Sequence, residues 1–390
     1  MKIEIQQKQL SELLVTAYKA IDRKPTLSIL TNFLFQADVE TQKVFLTGFN
    51  GNLGIRTKGS CKVHNSGIIA LNAELLTDVI NSLSGNLTLE MVTNQVIVTH
   101  ATGKCRLTTT DPTEFPELPL VEGVSITLKA ETLREAFSTT LLFAAKDELK
   151  QVLAGIHLKL SLSNSLTNWE AAATDGHRLG ICNASNGDQE FDNAVTIPYK
   201  TASCLNEILD NAKENCQITT SDSSICFELP NTQVSSRLLQ DDYPAYKSLI
   251  PTQFSYEFAI NKKSLKEALN RVAAIACSKD KIVQITFTKD RAVLYAESPD
   301  LGGAVESVAI SALEEYTDFS IGFNIKYLAE AIKVITTSEL TIKAEKPSYP
   351  VIITPIGEKI SRQIVLIMPV QLKEIKKFDV LPETVQPIAA

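Results

Sequence analysis

Apolar residues fall three times into the same helical stripe. Leu10, Leu13, Leu14 and Ala17 are matched by Leu133, Ala136 and Phe137 with Thr140, and again by Leu265, Ala268, Leu269 and Val272. Each set has the i, i+3, i+4, i+7 spacing of one helical face, which predicts an amphipathic helix at each place. A short alternating strand precedes each helix, carried by Ile3 and Ile5, by Ile126 and Leu128, and by Phe258 and Ile260. A second helix is predicted to open at Leu71-Asn72, Ile197-Pro198 and Phe323-Asn324, because Asn caps helices and Pro suits their first turn. The repeat of about 125 residues exceeds any solenoid unit, so each copy is read as a small domain.

Strand-like alternation fills the rest of each copy. In the first it runs over residues 32–39, 43–49, 87–92, 95–100 and 104–109. In the second it runs over 155–161, 169–174, 178–182, 216–220, 224–229 and 233–239. In the third it covers 283–288, 292–297, 303–309, 339–343, 351–355 and 363–367. Short polar turns between these runs imply antiparallel sheet. The fold class is therefore α+β, three repeated domains with two helices packed on antiparallel sheet in each. The boundaries are drawn at 1–122, 123–252 and 253–374. Acid, aromatic and proline cluster at Asp111-Pro112 to Pro116 and at Asp241 to Pro244, where proline disfavours helix in the residue before it. Residues 375–390, with Pro382 and Pro387, are expected to form a loose tail.

Charge narrows the function. The chain has 390 residues, 38 Lys and Arg against 45 Asp and Glu, and a net charge of -7. A protein that held DNA by bulk attraction would be basic. Seven cysteines, at 61, 105, 182, 204, 216, 226 and 277, form no CxxC pair, which reads as reduced thiols in a cytoplasmic protein. The start, Met1-Lys2-Ile3-Glu4-Ile5, lacks a signal-peptide core, and no run suits a membrane span. Cytosolic residence would leave the sequons at Asn86 and Asn183 unused.

Candidate chemistry is sparse. Gly103-Lys104 fails the phosphate-loop pattern, since Val98 and Cys105 stand where Gly and Ser/Thr are needed. His64, His100, His157 and His177 lack metal-ligand spacing. The phrase Thr174-Asp175-Gly176-His177-Arg178 admits two readings, a tight Asp-Gly turn presenting His177 and Arg178, or an Asp–His acid–base pair. The turn is favoured, because no nucleophile or metal accompanies the pair. Met368-Pro369 reads either as a domain edge or as one wall of an adaptable apolar groove. The lysines of the predicted helices are interleaved with acids and give only weak support for a DNA-facing surface.

Taken together, several phrases resemble the bacterial β sliding clamp family, the processivity factors of replicative DNA polymerase. They are Lys24-Pro25-Thr26-Leu27 with Ile29-Leu30, Ala173-Thr174-Asp175-Gly176-His177-Arg178-Leu179, Tyr243-Pro244-Ala245-Tyr246, Phe323-Asn324-Ile325-Lys326-Tyr327-Leu328 and Met368-Pro369. The resemblance runs through Leu372. It implies a head-to-tail dimeric ring with helices lining a hole around double-stranded DNA, non-enzymatic and without cofactor or metal. Such a ring holds DNA topologically, which reconciles DNA binding with a negative charge.

The resemblance also implies partners and sites. The replicative polymerase catalytic subunit, the clamp loader and other clamp-motif proteins would insert a peptide into a groove. Matched positions are Leu153, Thr174, Gly176, His177, Arg178, Leu179, Pro244, Leu249, Asn324, Tyr327, Leu366, Ile367, Met368, Pro369 and Leu372. Lys24, Lys200 and Lys281 would face DNA. Val79 and Leu83 would meet Ile275 and Ala276 of a second copy. Ser248, Val370 and Gln371 depart from the family pattern at the groove rim, and Gln151 and Val152 stand where some relatives place DNA-touching tyrosines. The alternatives are a triplicated peptide-binding adaptor without DNA encirclement and an enzyme using Asp175 and His177.

Overall fold

The computed structural model describes residues 1–146, 152–163, 166–184, 193–210, 212–276, 281–298, 300–312, 317–357 and 361–376. Gln151, Cys277 and most of the expected tail, 377–390, lie outside them. The chain forms two compact units, Met1–Ala173 with Asn183–Tyr243, and Thr174–Cys182 with Pro244–Ala390. The first unit holds the first repeat and most of the second, and the second unit holds the third.

All six expected helices form: α1 (Gln7–Tyr18), α2 (Ala73–Ser82), α3 (Ala130–Thr140), α4 (Tyr199–Leu209), α5 (Lys262–Ala273) and α6 (Ile325–Val334). Their buried faces are the predicted stripes. Leu10, Leu14 and Ala17, then Leu133, Ala136, Phe137 and Thr140, then Leu265, Ala268, Leu269 and Val272 are all buried. Full burial of one such leucine or phenylalanine stabilises by about 1.5–3 kcal/mol. The Asn72 side chain accepts from the Leu75 N–H, and Asn324 accepts from Lys326 and Tyr327, as expected of N-caps. At α4 the expectation is corrected: Pro198 is itself the cap residue and the first turn begins at Tyr199. Asn261 also caps α5 through the Ser264 N–H.

Each repeat pairs its two helices across polar contacts. Ser11 donates to Asn81 at 2.7 Å between α1 and α2, and Ser138 donates to Asn206 at 3.0 Å between α3 and α4. Lys262 at the start of α5 caps carbonyls at the end of α6, among them Ile335. No helix of the described residues is long and apolar enough to cross a membrane.

The strands form two four-stranded sets per repeat. The first unit holds the order Lys2–Gln6, Asn86–Val92, Gln95–His100, Gly103–Thr108, with Lys62–Asn65 flanking Lys2–Gln6. It also holds Val124–Lys129, Asn215–Thr220, Ser224–Leu229, Thr232–Arg237, continued by Leu53–Ser60, Lys43–Phe49, Asn32–Asp38 and Gly67–Asn72. The seam between the first two repeats is thus a strand pair, with Thr232 opposite Thr57, Val234 opposite Ile55 and Ser236 opposite Leu53. Ion pairs Lys19–Glu207 and Lys200–Asp22 bind the same two repeats. In the second unit the order is Arg178–Asn183, Arg362–Ile367, Val351–Pro355, Glu339–Ala344, Tyr256–Asn261, Gly302–Ala312, Arg291–Ser298, Ile282–Phe287, Phe319–Asn324. Its core includes Phe258 stacked on Phe287 at 4.1 Å and Tyr256 on Phe319 at 4.2 Å.

The strands Gly67–Asn72, Asn193–Pro198 and Phe319–Asn324, each leading straight into a second helix, go beyond the sequence reading. The sequence pattern marks only the last two residues of each, as helix starts. The tail expectation is corrected at its start: Lys376 is held by two hydrogen bonds to Gln284.

In the first unit His157 stacks on Tyr243 at 4.6 Å and its Nδ1 lies 3.1 Å from Thr196 Oγ1. Burial, helped by the Lys159 charge, pushes its pKa down to about 4. The unfolded chain, with His near 6.5, binds the proton first, so stability falls as pH drops from about 6.5 towards 4. The melting temperature of His157→Phe is expected to fall less than that of the native chain over this window; parallel profiles would clear His157 of any role.

Candidate functional site

The candidate peptide site is built within the second unit from a turn, a helix start and a chain exit. The turn is Asp175-Gly176-His177. Asp175 Oδ1 accepts from the His177 N–H at 2.9 Å and the Arg178 N–H at 3.2 Å, an Asx-type turn. Gly176 has φ +92, a left-handed conformation that glycine adopts without a Cβ penalty. Thr174 Oγ1 closes the turn by donating to the Arg178 carbonyl at 2.7 Å.

The turn positions Arg178, whose side chain is only 6% exposed. Its Nε donates to Asp175 Oδ2 at 3.0 Å and its Nη1 to Glu330 on α6. The guanidinium sits over the Tyr327 ring at 4.4 Å, and the His177 ring stacks on the other part of this array at 6.0 Å from Tyr327. The Asn324 cap sets the register of α6, so Tyr327 and Glu330, three residues apart, share the face towards Arg178. A charge buried this deeply persists only when paired and hydrogen-bonded. The array is a rigid wall, already satisfied, and not a reactive centre. The His177 side chain makes no hydrogen bond among the described residues. Asp175 serves the turn and Arg178, which removes the geometric basis of an Asp175–His177 acid–base pair.

The chain exit completes the site. The Met368 N–H donates to the His177 carbonyl at 2.9 Å, and the Val370 N–H donates to Gly322 at 2.8 Å. Met368 is 40% exposed and Leu249 55% exposed, the two large apolar side chains that the expected groove leaves open in this unit. Leu249 ends the tight turn Tyr246–Leu249, which Pro244 starts by accepting from the Tyr246 N–H at 2.7 Å. Leu372 lies against Gly322.

Several expected positions need correction. Leu179, Leu366 and Ile367 are 1%, 2% and 0% exposed, so they form core beneath the site and offer no surface to a ligand. Consecutive residues are buried there, Arg178 to Cys182 and Val365 to Ile367, so the hydrophobic run does not distinguish floor from lining. Ala276, at 1% exposure, faces its own core at the end of α5; Ile275 beside it is half-buried. Leu153 lies in the first unit, where its carbonyl accepts from the Ala145 N–H. Val79 on α2 and Leu83, its extended C-cap residue, are half-buried, and Leu75, one turn before Val79 and 50% exposed, precedes them. The 75, 79, 83 spacing was the available signal for it. Glu330 was missed as well, and no local pattern marks it, since its partner Arg178 lies 152 residues away.

The lysines expected to face DNA differ from one another. Lys24 is exposed in the loop after α1, and Lys281 is exposed with φ +46. Lys200, in the first turn of α4, is paired with Asp22.

Comparison with known proteins agrees along most of the chain. Family models of the DNA polymerase III beta subunit match its N-terminal domain at residues 1–119, its central domain at 127–245 and its C-terminal domain at 247–370. The chain is 34% identical to the beta sliding clamp of Synechocystis sp., covering 95% of this chain and 100% of that one. It is 32% identical to the beta sliding clamp of Synechococcus elongatus, covering 96% and 100%. The crystal structure of the polymerase beta subunit of Streptococcus pyogenes superimposes with a TM-score of 0.87 at 26% identity, covering 95% of this chain and 100% of that one.

Arg178→Ala leaves two carboxylates around a vacated, buried position. It is expected to lower unfolding free energy by on the order of 3 kcal/mol, measured by urea denaturation; a loss under about 0.5 kcal/mol would show that the array is not a structural wall. The chain belongs to the DNA polymerase III beta subunit family, the bacterial beta sliding clamps.

Proposed function

We propose that two copies of this chain close head to tail into a ring around duplex DNA and tether the replicative polymerase through the Leu249 and Met368 site. The observation that carries the ring is a strand edge. In the second repeat the last strand, Thr232–Arg237, is completed by Leu53–Ser60 of the first. In the third the last strand, Arg362–Ile367, is completed by Arg178–Asn183 of the second. The equivalent strand of the first repeat, Gly103–Thr108, ends its sheet. Its counterpart by repeat order is residues 302–309 in the third repeat of another copy, the part of Gly302–Ala312 that does not pair with Tyr256–Asn261. Lys104 and Arg106 are exposed on the donor edge, and Glu306 stands on the acceptor, where Arg271 holds it at 2.8 Å. Opposite charges favour this register. Leu75 and Val79 on α2 with Leu83 at its C-cap, and Ile275 on the partner, supply apolar contact beside it. Two identical joints close a two-fold assembly, as is common for soluble oligomers.

The domain boundaries 1–122, 123–252 and 253–374 follow the repeat. DNA is held mechanically, with Lys24 and Lys281 making weak, sequence-independent phosphate contacts and Lys200 contributing less because of Asp22. The reading assigns the chain no chemical turnover and no cofactor, and places it in the cytoplasm, where its thiols stay reduced. Burial pushes the Cys216 thiol up to about 12 and that of Cys226 to about 11, so both are inert.

Loaded by its clamp loader, the protein is expected to stay on nicked circular DNA and to leave the same DNA once linearised, measured by gel filtration of labelled protein. Equal loss from both forms excludes encirclement and leaves the peptide-adaptor reading. A separate measurement addresses the groove. Met368→Lys should weaken binding of the polymerase catalytic subunit by tenfold or more, about 1.4 kcal/mol, while the dimer persists in analytical ultracentrifugation. Unchanged binding would mean that the polymerase docks elsewhere.

A further inference from the structure

Gln284 is a polar residue between two apolar ones. Val283 and Ile285 are buried in the core of the third repeat, so strand alternation puts Gln284 and Thr286 on the other face of the sheet. A residue on that face would ordinarily meet water, yet Gln284 is only 4% exposed. What covers it is chain beyond residue 370, where the family match ends.

After Ile367, the end of its strand, that chain is fastened in turn to His177, Gly322 and Gln284. The Met368 N–H donates to the His177 carbonyl, and the Val370 N–H donates to the Gly322 carbonyl. Gly322 permits the close approach, since an added Cβ there would meet the Val370 carbonyl oxygen at 2.6 Å and Leu372 Cδ2 at 2.7 Å. The Gln284 amide then holds the Lys376 backbone from both sides. Its Nε2 donates to the Lys376 carbonyl at 2.8 Å, and its Oε1 accepts from the Lys376 N–H at 3.1 Å. Nε2 also donates to Thr286 Oγ1 at 3.1 Å, and Thr286 Oγ1 lies 2.9 Å from Ser320 Oγ. A buried amide satisfied in this way is locked in one orientation, and stripping it of its partners is costly.

Ser320 and Gly322 share one strand, and Gly322 is the register partner of Gln284. Residues 370–376 are therefore a loop tied at both ends to one pair of strands. A segment with a free end opens from that end, one bond at a time. A loop tied at both ends has far fewer conformations open to it and leaves only when both ties break. Met368, 40% exposed, stands just before the first tie.

We infer, on the groove reading above, that Gln284 is a positioning residue for the Met368 site. By fastening Lys376 it keeps residues 368–372 laid along the sheet and Met368 presented beside His177. Gln284 touches no partner itself. It raises the fraction of molecules whose site is ready, and a partner's apparent affinity scales with that fraction.

The test compares the native full chain with Lys376→Pro and Lys376→Ala, against the intact polymerase catalytic subunit in surface plasmon resonance. Proline removes the N–H that Gln284 accepts, whereas alanine keeps both backbone bonds. Lys376→Pro is expected to lower the association rate about threefold and leave the dissociation rate unchanged, because the bound state is the same and only the ready fraction shrinks. Hydrogen exchange of the amides in residues 368–372 should quicken by about the same factor. Lys376→Ala should match the native chain in both measurements. Faster exchange in Lys376→Pro with association unchanged would make Gln284 a structural fastening only and overturn the proposal. Unchanged exchange overturns it as well, since the anchor then does not hold the segment. A loss confined to the dissociation rate overturns it by assigning a direct contact. If Met368→Lys also binds as the native chain does, the groove reading fails and the positioning role falls with it.

Discussion

The open hydrogen-bonding edge of each repeat's last strand is the constraint on which the rest depends. A strand edge exposes a row of N–H and C=O groups, and an exposed edge invites pairing with whatever strand is near. In this chain the edge is not blunted by proline or a bulge. It is completed by the next copy of the same fold, as Thr232–Arg237 is by Leu53–Ser60. A triplicated domain that consumes its edges this way has one donor and one acceptor to spare, and a closed assembly is the arrangement that leaves neither bare. Repeat number and the completion of strand edges are thus one problem, solved within the chain by backbone pairing before any side chain is considered.

The same seam geometry explains where the candidate site comes from. At the seam in the first unit, Asn50 Oδ1 accepts from the Asn52 and Leu53 N–H groups, Gly51 has φ +96, and the Arg237 N–H donates to the Asn52 carbonyl at 2.9 Å. In the second unit Asp175, Gly176, His177 and Met368 reproduce that pattern bond for bond. The scaffolds are equal and the side chains are not. Where the first has Leu53, Thr201 and Arg237, the second has Arg178, Tyr327 and Met368. The first seam is also filled from within, since Leu118 packs so closely on Gly54 that a Cβ there would meet it at 2.3 Å. One copy of a duplicated turn has kept its plug, and the other presents a cation–aromatic wall with an exposed thioether beside it. Methionine suits that place because its flexible, polarizable side chain adapts to more than one ligand.

Much of this was legible in the sequence because helical faces and N-caps are local codes. Leu133, Ala136 and Phe137 announce α3 by spacing alone, and Asn72 and Asn324 announce their helices by position. The strands Gly67–Asn72 and Phe319–Asn324 were hidden because one short apolar run serves two elements, and no periodicity marks the switch at the cap residue. The candidate site residues were named by resemblance, and the local pattern could not separate Met368, exposed, from Ile367, buried, because the apolar run does not mark where the strand Arg362–Ile367 ends. Glu330 was invisible for a different reason. Its partner Arg178 lies 152 residues away, and a long-range ion pair leaves no trace in local pattern. Long-range fastening by a single polar side chain, Gln284 on Lys376, was equally silent.

Electrostatics decide how firmly such a protein should grip its polymer. Helix lysines that could face DNA are partly spent on internal pairs, Lys19 with Glu207 and Lys200 with Asp22. Exposed pairs of this kind contribute little to stability, typically 0–1 kcal/mol each. Their effect on the phosphate field is larger, because each removes a charge that would otherwise release a counterion on binding. A closed collar does not need adhesive affinity to remain in place, and strong affinity would slow its movement along the duplex. Pairing these lysines internally therefore costs a closed collar nothing in retention. It also leaves the negative net charge of the chain compatible with a polyanion at its centre, a combination that an adhesive DNA-binding protein could not sustain.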